Sequence, residues 1–195
     1  MQNEFIFPDQ FNGYSRIEYL SVFISFLYAL AISEFFVGWS RMVRNRSNLK
    51  FSTDHIIYTI LFFWILIVNW YALWGRMPLL GSGFLYFILI IVPIALSYFA
   101  AVLMFPDLDK GADLQSYFDR NFKIIGINLS LFLLINTLVG IWIKEDILFL
   151  ATIGRSVNAV LIFVVALFDL KKLRRVAAAL MGLVLLIGSI RMAFI

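Results

Sequence analysis

Six long apolar stretches, separated by short polar segments, dominate the pattern of this chain. They cover residues 18–40, 56–74, 84–105, 124–143, 147–168 and 176–195. Each stretch holds about 20 residues, which as a helix with a rise of about 1.5 Å per residue crosses a hydrocarbon core of about 30 Å. The apolar residues run continuously instead of alternating with polar ones, so helices are predicted and not the strands of a barrel. The pattern predicts an all-α integral membrane protein, a single domain of six transmembrane helices over residues 1–195.

The composition agrees with residence in a membrane. Hydrophobic residues make up 63% of the chain and charged residues only 14%, against about a quarter charged in ordinary globular domains. That balance leaves too little polar surface to cover a water-soluble protein. The main solvent is therefore expected to be the lipid bilayer, in which backbone groups must be hydrogen-bonded within the helices.

The distribution of Lys and Arg predicts how the chain crosses the membrane. The segments after spans 1, 3 and 5 carry eleven of these residues, and the opposite side carries four. Because cytoplasmic segments are enriched in Lys and Arg, we expect both termini outside, in a bacterial-type cytoplasmic (inner) membrane. Arg191 close to the end of span 6 leaves open a five-span arrangement with the C-terminus inside.

Two ionisable residues, Glu34 and Arg155, lie well inside the predicted spans. A charge near the bilayer centre costs about 2.5–3.5 kcal/mol on insertion scales, so each requires an explanation. The two could form a buried ion pair that fixes packing, lie on an ion or proton pathway, or reach the interface separately. Asn69, Asn136 and Asn158 are predicted to form interhelical hydrogen bonds or to line a hydrated path.

A polar group opens span 2. Ser52 precedes Asp54 and His55 there, a pattern typical of a helix N-cap with a carboxylate at the positive end of the helix dipole. His55 is the only histidine and cysteine is absent. A metal site built on paired histidines or on thiolates is therefore excluded, and we predict no metal and no cofactor.

The segment from residue 107 to 123 is the longest between spans, and its apolar residues recur at helical spacing. The pattern predicts a short amphipathic helix on the membrane surface or a water-exposed extension of span 4. A plain connector is the simplest role. The alternative is a docking surface for a cytosolic partner formed by Phe118, Phe122, Asp119 and Arg120.

Two functions from different classes remain open. The sequence has no phosphate-binding glycine loop, metalloprotease motif, nucleophile elbow or potassium-filter motif, so an enzyme is not expected. Its basic residues lie at membrane edges, which gives no reason to expect nucleic acid. The first hypothesis is a homo-oligomeric ion channel or small-solute pathway. The alternative is a non-catalytic anchor or sensor subunit for a cytosolic effector, in signalling or defence.

Overall fold

The computed structural model describes residues 10–11, 14–73, 84–107, 112–142 and 149–193. Six α-helices make up most of this part of the chain. They are α1 (Arg16–Arg44), α2 (Thr53–Ala72), α3 (Phe84–Met104), α4 (Leu114–Trp142), α5 (Phe149–Leu167) and α6 (Lys171–Ala193). Two small ladders accompany them. Strand β1 (Gln10–Phe11) pairs antiparallel with β2 (Tyr14–Ser15), and β3 (Leu49–Lys50) pairs parallel with β4 (Ala112–Asp113).

The helices form a closed arrangement in which each packs on its neighbours. In spatial order the bundle runs α1, α3, α4, α5, α6 and α2, and α2 returns to α1. Helix α2 also contacts α3 and α4, so it lies partly inside the bundle. Its buried residues Tyr58, Phe62, Ile65 and Leu66 meet rings such as Phe132 in one continuous core. Aromatic and branched side chains therefore fill the interior between the helices.

Length and composition identify most of the predicted spans. Five helices in the described part of the chain are long and apolar enough to cross a membrane: Ile17–Arg44, Thr53–Ala72, Phe84–Met104, Leu114–Ile141 and Lys171–Ile190. The corresponding part of α5, Thr152–Leu167, is a shorter apolar helix. The all-α, multi-pass character is thus supported. Six spans with both termini outside remain a prediction.

Helix α4 begins about three turns before the apolar stretch from which span 4 was predicted. Leu114, Phe118 and Phe122 are all buried and recur every four residues, so they continue the core-facing stripe of the span. The segment is therefore an extension of span 4, one of the two helical forms predicted. Asp113 caps it, because its carboxylate accepts hydrogen bonds from the backbone N–H groups of Gln115 and Ser116 at 3.0 and 3.1 Å.

Small residues set the closest helix contacts. A methyl group added at Gly126 of α4 would lie 2.6 Å from the Cβ of Ala166 on α5. One added at Gly38 of α1 would collide with the ring of Phe105, which follows α3. Close approach of helices through small residues is typical of membrane bundles. These two contacts also fix the levels of the helices relative to one another.

Candidate functional site

A network of charged and polar side chains lies at one end of the bundle. This basic end comprises the residues that link α1 to α2, α3 to α4 and α5 to α6, and it carries most of the Lys and Arg. At its centre is Arg174 in the first turn of α6, whose side chain is only 1% exposed. A buried guanidinium is costly unless it is paired and hydrogen-bonded. The groups around Arg174 meet that requirement at its two terminal nitrogens, whereas its Nε is buried with no hydrogen-bond partner among the described residues.

Two carboxylates and two aromatic rings surround the guanidinium of Arg174. Its Nη1 donates to Asp119 of α4, and its Nη2 donates to Asp169 in the preceding turn at 2.5 Å. Its central carbon lies 4.1 Å from the ring centroid of Phe122 and 5.8 Å from that of Phe118. A cation over an aromatic face adds about 0.5–2 kcal/mol when it is desolvated. The arrangement fixes α6 to α4.

Further contacts connect α6 to α2 and to α4. The Tyr58 hydroxyl donates to the backbone carbonyl of Arg174 at 2.9 Å. Arg175 pairs with Asp54 at 2.8 Å between Nε and Oδ1, and Lys171 Nζ lies 3.0 Å from the second oxygen of Asp119. Opposite charges therefore balance one another across three helices.

Helix α2 is linked to α4 by a chain of hydrogen bonds that begins at its cap. Ser52 Oγ donates to Gln115 Oε1 at 2.6 Å, and Gln115 Nε2 donates to Asp119 at 3.1 Å. The same Ser52 oxygen accepts the backbone N–H of His55 at 3.2 Å, so the predicted N-cap of span 2 is confirmed.

His55 is fully buried beside this network. Its Nε2 lies 2.7 Å from the carbonyl oxygen of Met104, a contact that requires the hydrogen on Nε2. The rings of Phe105 and Phe118 meet it edge-on at centroid distances of 6.1 and 5.8 Å. This histidine joins α2 to the end of α3. Within the described ranges, no group of three or more His, Asp or Glu residues could hold a metal ion.

Glu34 and Arg155 lie in different parts of the bundle. Helix α1, which carries Glu34, packs on α2 and α3, whereas α5, which carries Arg155, packs on α4 and α6. The ion pairs of the described residues do not join the two side chains. Glu34 instead lines a cleft between α1 and the end of α3, together with Arg41 and Asp107.

The asparagines predicted from the sequence are directed largely into their own helices. The side-chain amides of Asn69 and Asn136 donate to the carbonyls of Ile65 and Phe132, one turn earlier, each at 2.9 Å. Asn158 is 2% exposed on α5. Because Gly126 lies level with Ala166, antiparallel α4 and α5 place Asn136 at about the level of Arg155. Asn136 and Arg155 thus lie at a similar height along these two helices.

Of the four residues predicted to dock a partner, two are buried, one is paired and one is exposed. Phe118 and Phe122 are 0% and 1% exposed and pack inside the subunit, so their rings do not form a docking surface. Asp119 is occupied by Arg174 and Lys171, whereas Arg120 is exposed. The rings pack in the core and lie beside the Arg174 guanidinium.

Arg174 is the residue that sequence reasoning missed. It lies in the basic run from Lys171 to Arg175. The usual enrichment of Lys and Arg in cytoplasmic segments is enough to explain that run. One signal was available: Arg174 shares a helix face with Ala177, Ala178 and Met181, and this face is buried in the core. A charge in register with a core-facing stripe predicts a buried, paired side chain.

Taken together, these apolar helices and their packed interior define an all-α, multi-pass membrane protein. Comparison with models of protein families, with curated proteins and with solved structures gives no match to this chain.

Proposed function

We propose that this chain is a membrane anchor or sensor subunit that works through its basic end on a soluble partner with an acidic surface. The observation that carries this proposal is a rigid structure at the basic end, which we call the basic platform. It comprises residues 44–55, 112–123 and 168–175. The dimensions of the helices, the bracing of the platform and its exposed charges each support the proposal.

The longest helices exceed the thickness of a bilayer. Helices α1 and α4 have 29 residues each, or about 43 Å at 1.5 Å per residue, against a hydrocarbon core of about 30 Å. About two turns of each helix therefore extend beyond the core. At the basic end, residues 114–123 of α4 form part of the platform, which begins at Arg44, the last residue of α1.

Two features brace the platform. The parallel ladder between Leu49–Lys50 and Ala112–Asp113 joins its first two segments, and buried Met42, Leu49 and Leu114 pack beneath it. The Arg174 network joins the second segment to the third. A surface held in this way is preorganised, which lowers the entropy lost when a partner binds.

The exposed charges of the platform are predominantly basic. Among its exposed basic residues that take no part in the ion pairs of the described chain are Arg44, Arg46, Arg120, Lys123 and Lys172. Basic surfaces of this kind attract acidic partners and accelerate their association. The filled core supports this function over a pathway through a single subunit. A homo-oligomeric pathway between copies is the competing hypothesis.

Site-specific photocrosslinking in cells tests the proposal. A photoreactive residue at Arg46, on the platform, is compared with one at Tyr19, which is 72% exposed at the other end of α1. We expect a soluble protein to crosslink at position 46 and not at position 19. The crosslink should weaken in the double variant Arg120→Gln, Lys123→Gln, which leaves the braces intact. Equal crosslinking at both ends, or none at position 46, contradicts the proposal.

A further inference from the structure

A cleft of about 390 Å³ separates α1 from the end of α3 near the basic end. Arg41 and Asp107 line it together with Glu34, and its apolar wall includes Gly38, Val102 and Phe105. Unlike the Arg174 network, this region holds charged groups beside open space. A volume of this size is within the range of small-molecule binding sites.

The depth of each charged group follows from the helix geometry. Gly38 contacts the ring of Phe105, so these two residues lie at the same level. Arg41 and Asp107 both lie two or three residues further towards the basic end, at the mouth of the cleft. Glu34 lies seven residues before Arg41 on α1, or about 10 Å deeper along the helix axis.

In the part of the chain that the structure describes, neither Glu34, Arg41 nor Asp107 takes part in an ion pair or in a side-chain hydrogen bond. The mouth therefore presents one positive and one negative group, with space between them. Its complement is a ligand that carries one negative and one positive group.

We propose that the cleft binds the headgroup of an amine-bearing zwitterionic phospholipid, with the phosphate on Arg41 and the ammonium group on Asp107. A guanidinium presents paired N–H donors that match phosphate oxygens. The Asp107 carboxylate accepts N–H hydrogen bonds, which a primary ammonium donates and a quaternary one cannot. Glu34 then lies deeper, at the level of the glycerol and ester groups.

The surroundings of the cleft favour a lipid over a soluble zwitterion. Beside it, Phe36, Val37 and Val102 are 58%, 41% and 42% exposed on α1 and α3. These apolar side chains continue from the cleft along the outer surface of the bundle. Acyl chains attached to the bound headgroup would lie against them, which gives a phospholipid an additional contact that a soluble zwitterion lacks.

Native mass spectrometry of the detergent-purified protein provides the test. The protein is incubated with equal amounts of phosphatidylethanolamine and phosphatidylcholine that have the same acyl chains. We expect about five-fold more of the ethanolamine lipid bound, as for one partly exposed charged contact. Asp107→Asn should bring that ratio close to one, because Asp107 contacts the amine that distinguishes the two lipids. Arg41→Gln removes the phosphate contact that both lipids share, so it should lower the amount of each lipid bound. Glu34→Gln, at the level of the shared glycerol, should change the ratio little. Arg46→Gln, a nearby exposed residue outside the lining, should leave the ratio unchanged.

Several outcomes would overturn the proposal. Equal binding of the two lipids by the wild-type protein would do so, as would a preference that persists in Asp107→Asn. Unchanged binding of both lipids in a folded Arg41→Gln variant would also overturn it. Loss of bound lipid to an equal concentration of soluble phosphoethanolamine would assign the cleft to a soluble ligand instead. If Arg41→Gln fails to fold, Arg41→Lys keeps the charge without the paired donors and should reduce the amount of both lipids bound, but only partly. The assay needs no soluble partner, so its result is independent of the proposed function.

Discussion

The Arg174 network and the cleft beside Arg41 lie at the same end of the bundle and use the same kinds of side chain in opposite ways. Arg174 is 1% exposed, and its guanidinium contacts two carboxylates and the face of Phe122. Arg41 is exposed and lines the cleft together with Asp107. In the network, the terminal nitrogens of the guanidinium are paired within the chain. In the cleft, Glu34, Arg41 and Asp107 form no ion pair among the described residues.

The difference shows how structural and functional charges can be separated in a membrane protein. A buried charge that loses its partner leaves the other member of the pair uncompensated, so its removal mainly lowers stability. A charge on an open cleft contributes little to folding. Its removal should mainly change binding. Substitutions at single residues test that separation.

Replacing Arg174 should give the largest loss of stability. Arg174→Met removes the contacts with Asp119 and Asp169, and we expect the free energy of unfolding to fall by about 3 kcal/mol. The matched control is Arg175→Met. The Arg175 side chain is 72% exposed, so its loss should cost about 1 kcal/mol or less. Denaturant unfolding in detergent measures both, and equal losses would show that Arg174 does not hold the helices together.

Overpacking the contact between α4 and α5 should lower stability without altering any charged residue. Gly126→Val places methyl groups against Ala166, where even a Cβ would be 2.6 Å away, and we expect a loss of about 1–3 kcal/mol. Gly188→Ala is the control, because nothing lies within 4 Å of an added Cβ there. The lipid preference should be unchanged in Gly126→Val. If both variants have the same free energy of unfolding, α4 and α5 are not held as close together at Gly126 as the structure shows.

The cap of α4 should make a small contribution that depends on pH. Hydrogen bonds from the backbone N–H groups of Ser116 and Gln115 lower the pKa of Asp113 below its usual value. The stabilisation is therefore present above the pKa of the unfolded chain and is lost as the pH falls through the folded value. In Asp113→Asn the amide oxygen still caps the helix but does not titrate. Between neutral and acidic pH, the melting temperature should fall less for Asp113→Asn than for the wild type. If the two melting temperatures fall in parallel, Asp113 does not contribute to the acid sensitivity.

The fold was largely predictable because its main signal is periodic and long. Continuous apolar stretches predicted the helices, and the pattern at Ser52 predicted the cap of α2. Span 4 was predicted to begin at residue 124, with the extension of its helix as only one alternative. The polar residues between Phe118 and Phe122 interrupt the apolar run while leaving the buried stripe intact. Only one face of this helix is buried, and hydropathy averaged along the chain does not distinguish one face from the other.

The charged sites were harder to predict because they depend on residues far apart in sequence. Arg174 meets Asp119, which is 55 positions away, and no local pattern encodes that contact. Glu34 and Arg155 were considered together because both lie inside spans, although the packing order of α1 and α5 separates them. Charge counting predicted which end is basic. It did not predict which basic side chains are buried.

Ion flux into liposomes containing the purified protein tests most directly whether the chain acts at its basic platform or conducts. Flux under imposed voltage and pH gradients is compared with that of protein-free vesicles, with Glu34→Gln as the matched variant. For the wild type and for Glu34→Gln we predict flux no higher than that of the protein-free vesicles, because aromatic side chains such as Phe62 and Phe132 fill the interior of the bundle. Flux above that level in the wild type that a folded Glu34→Gln variant alters would contradict it and establish a pathway.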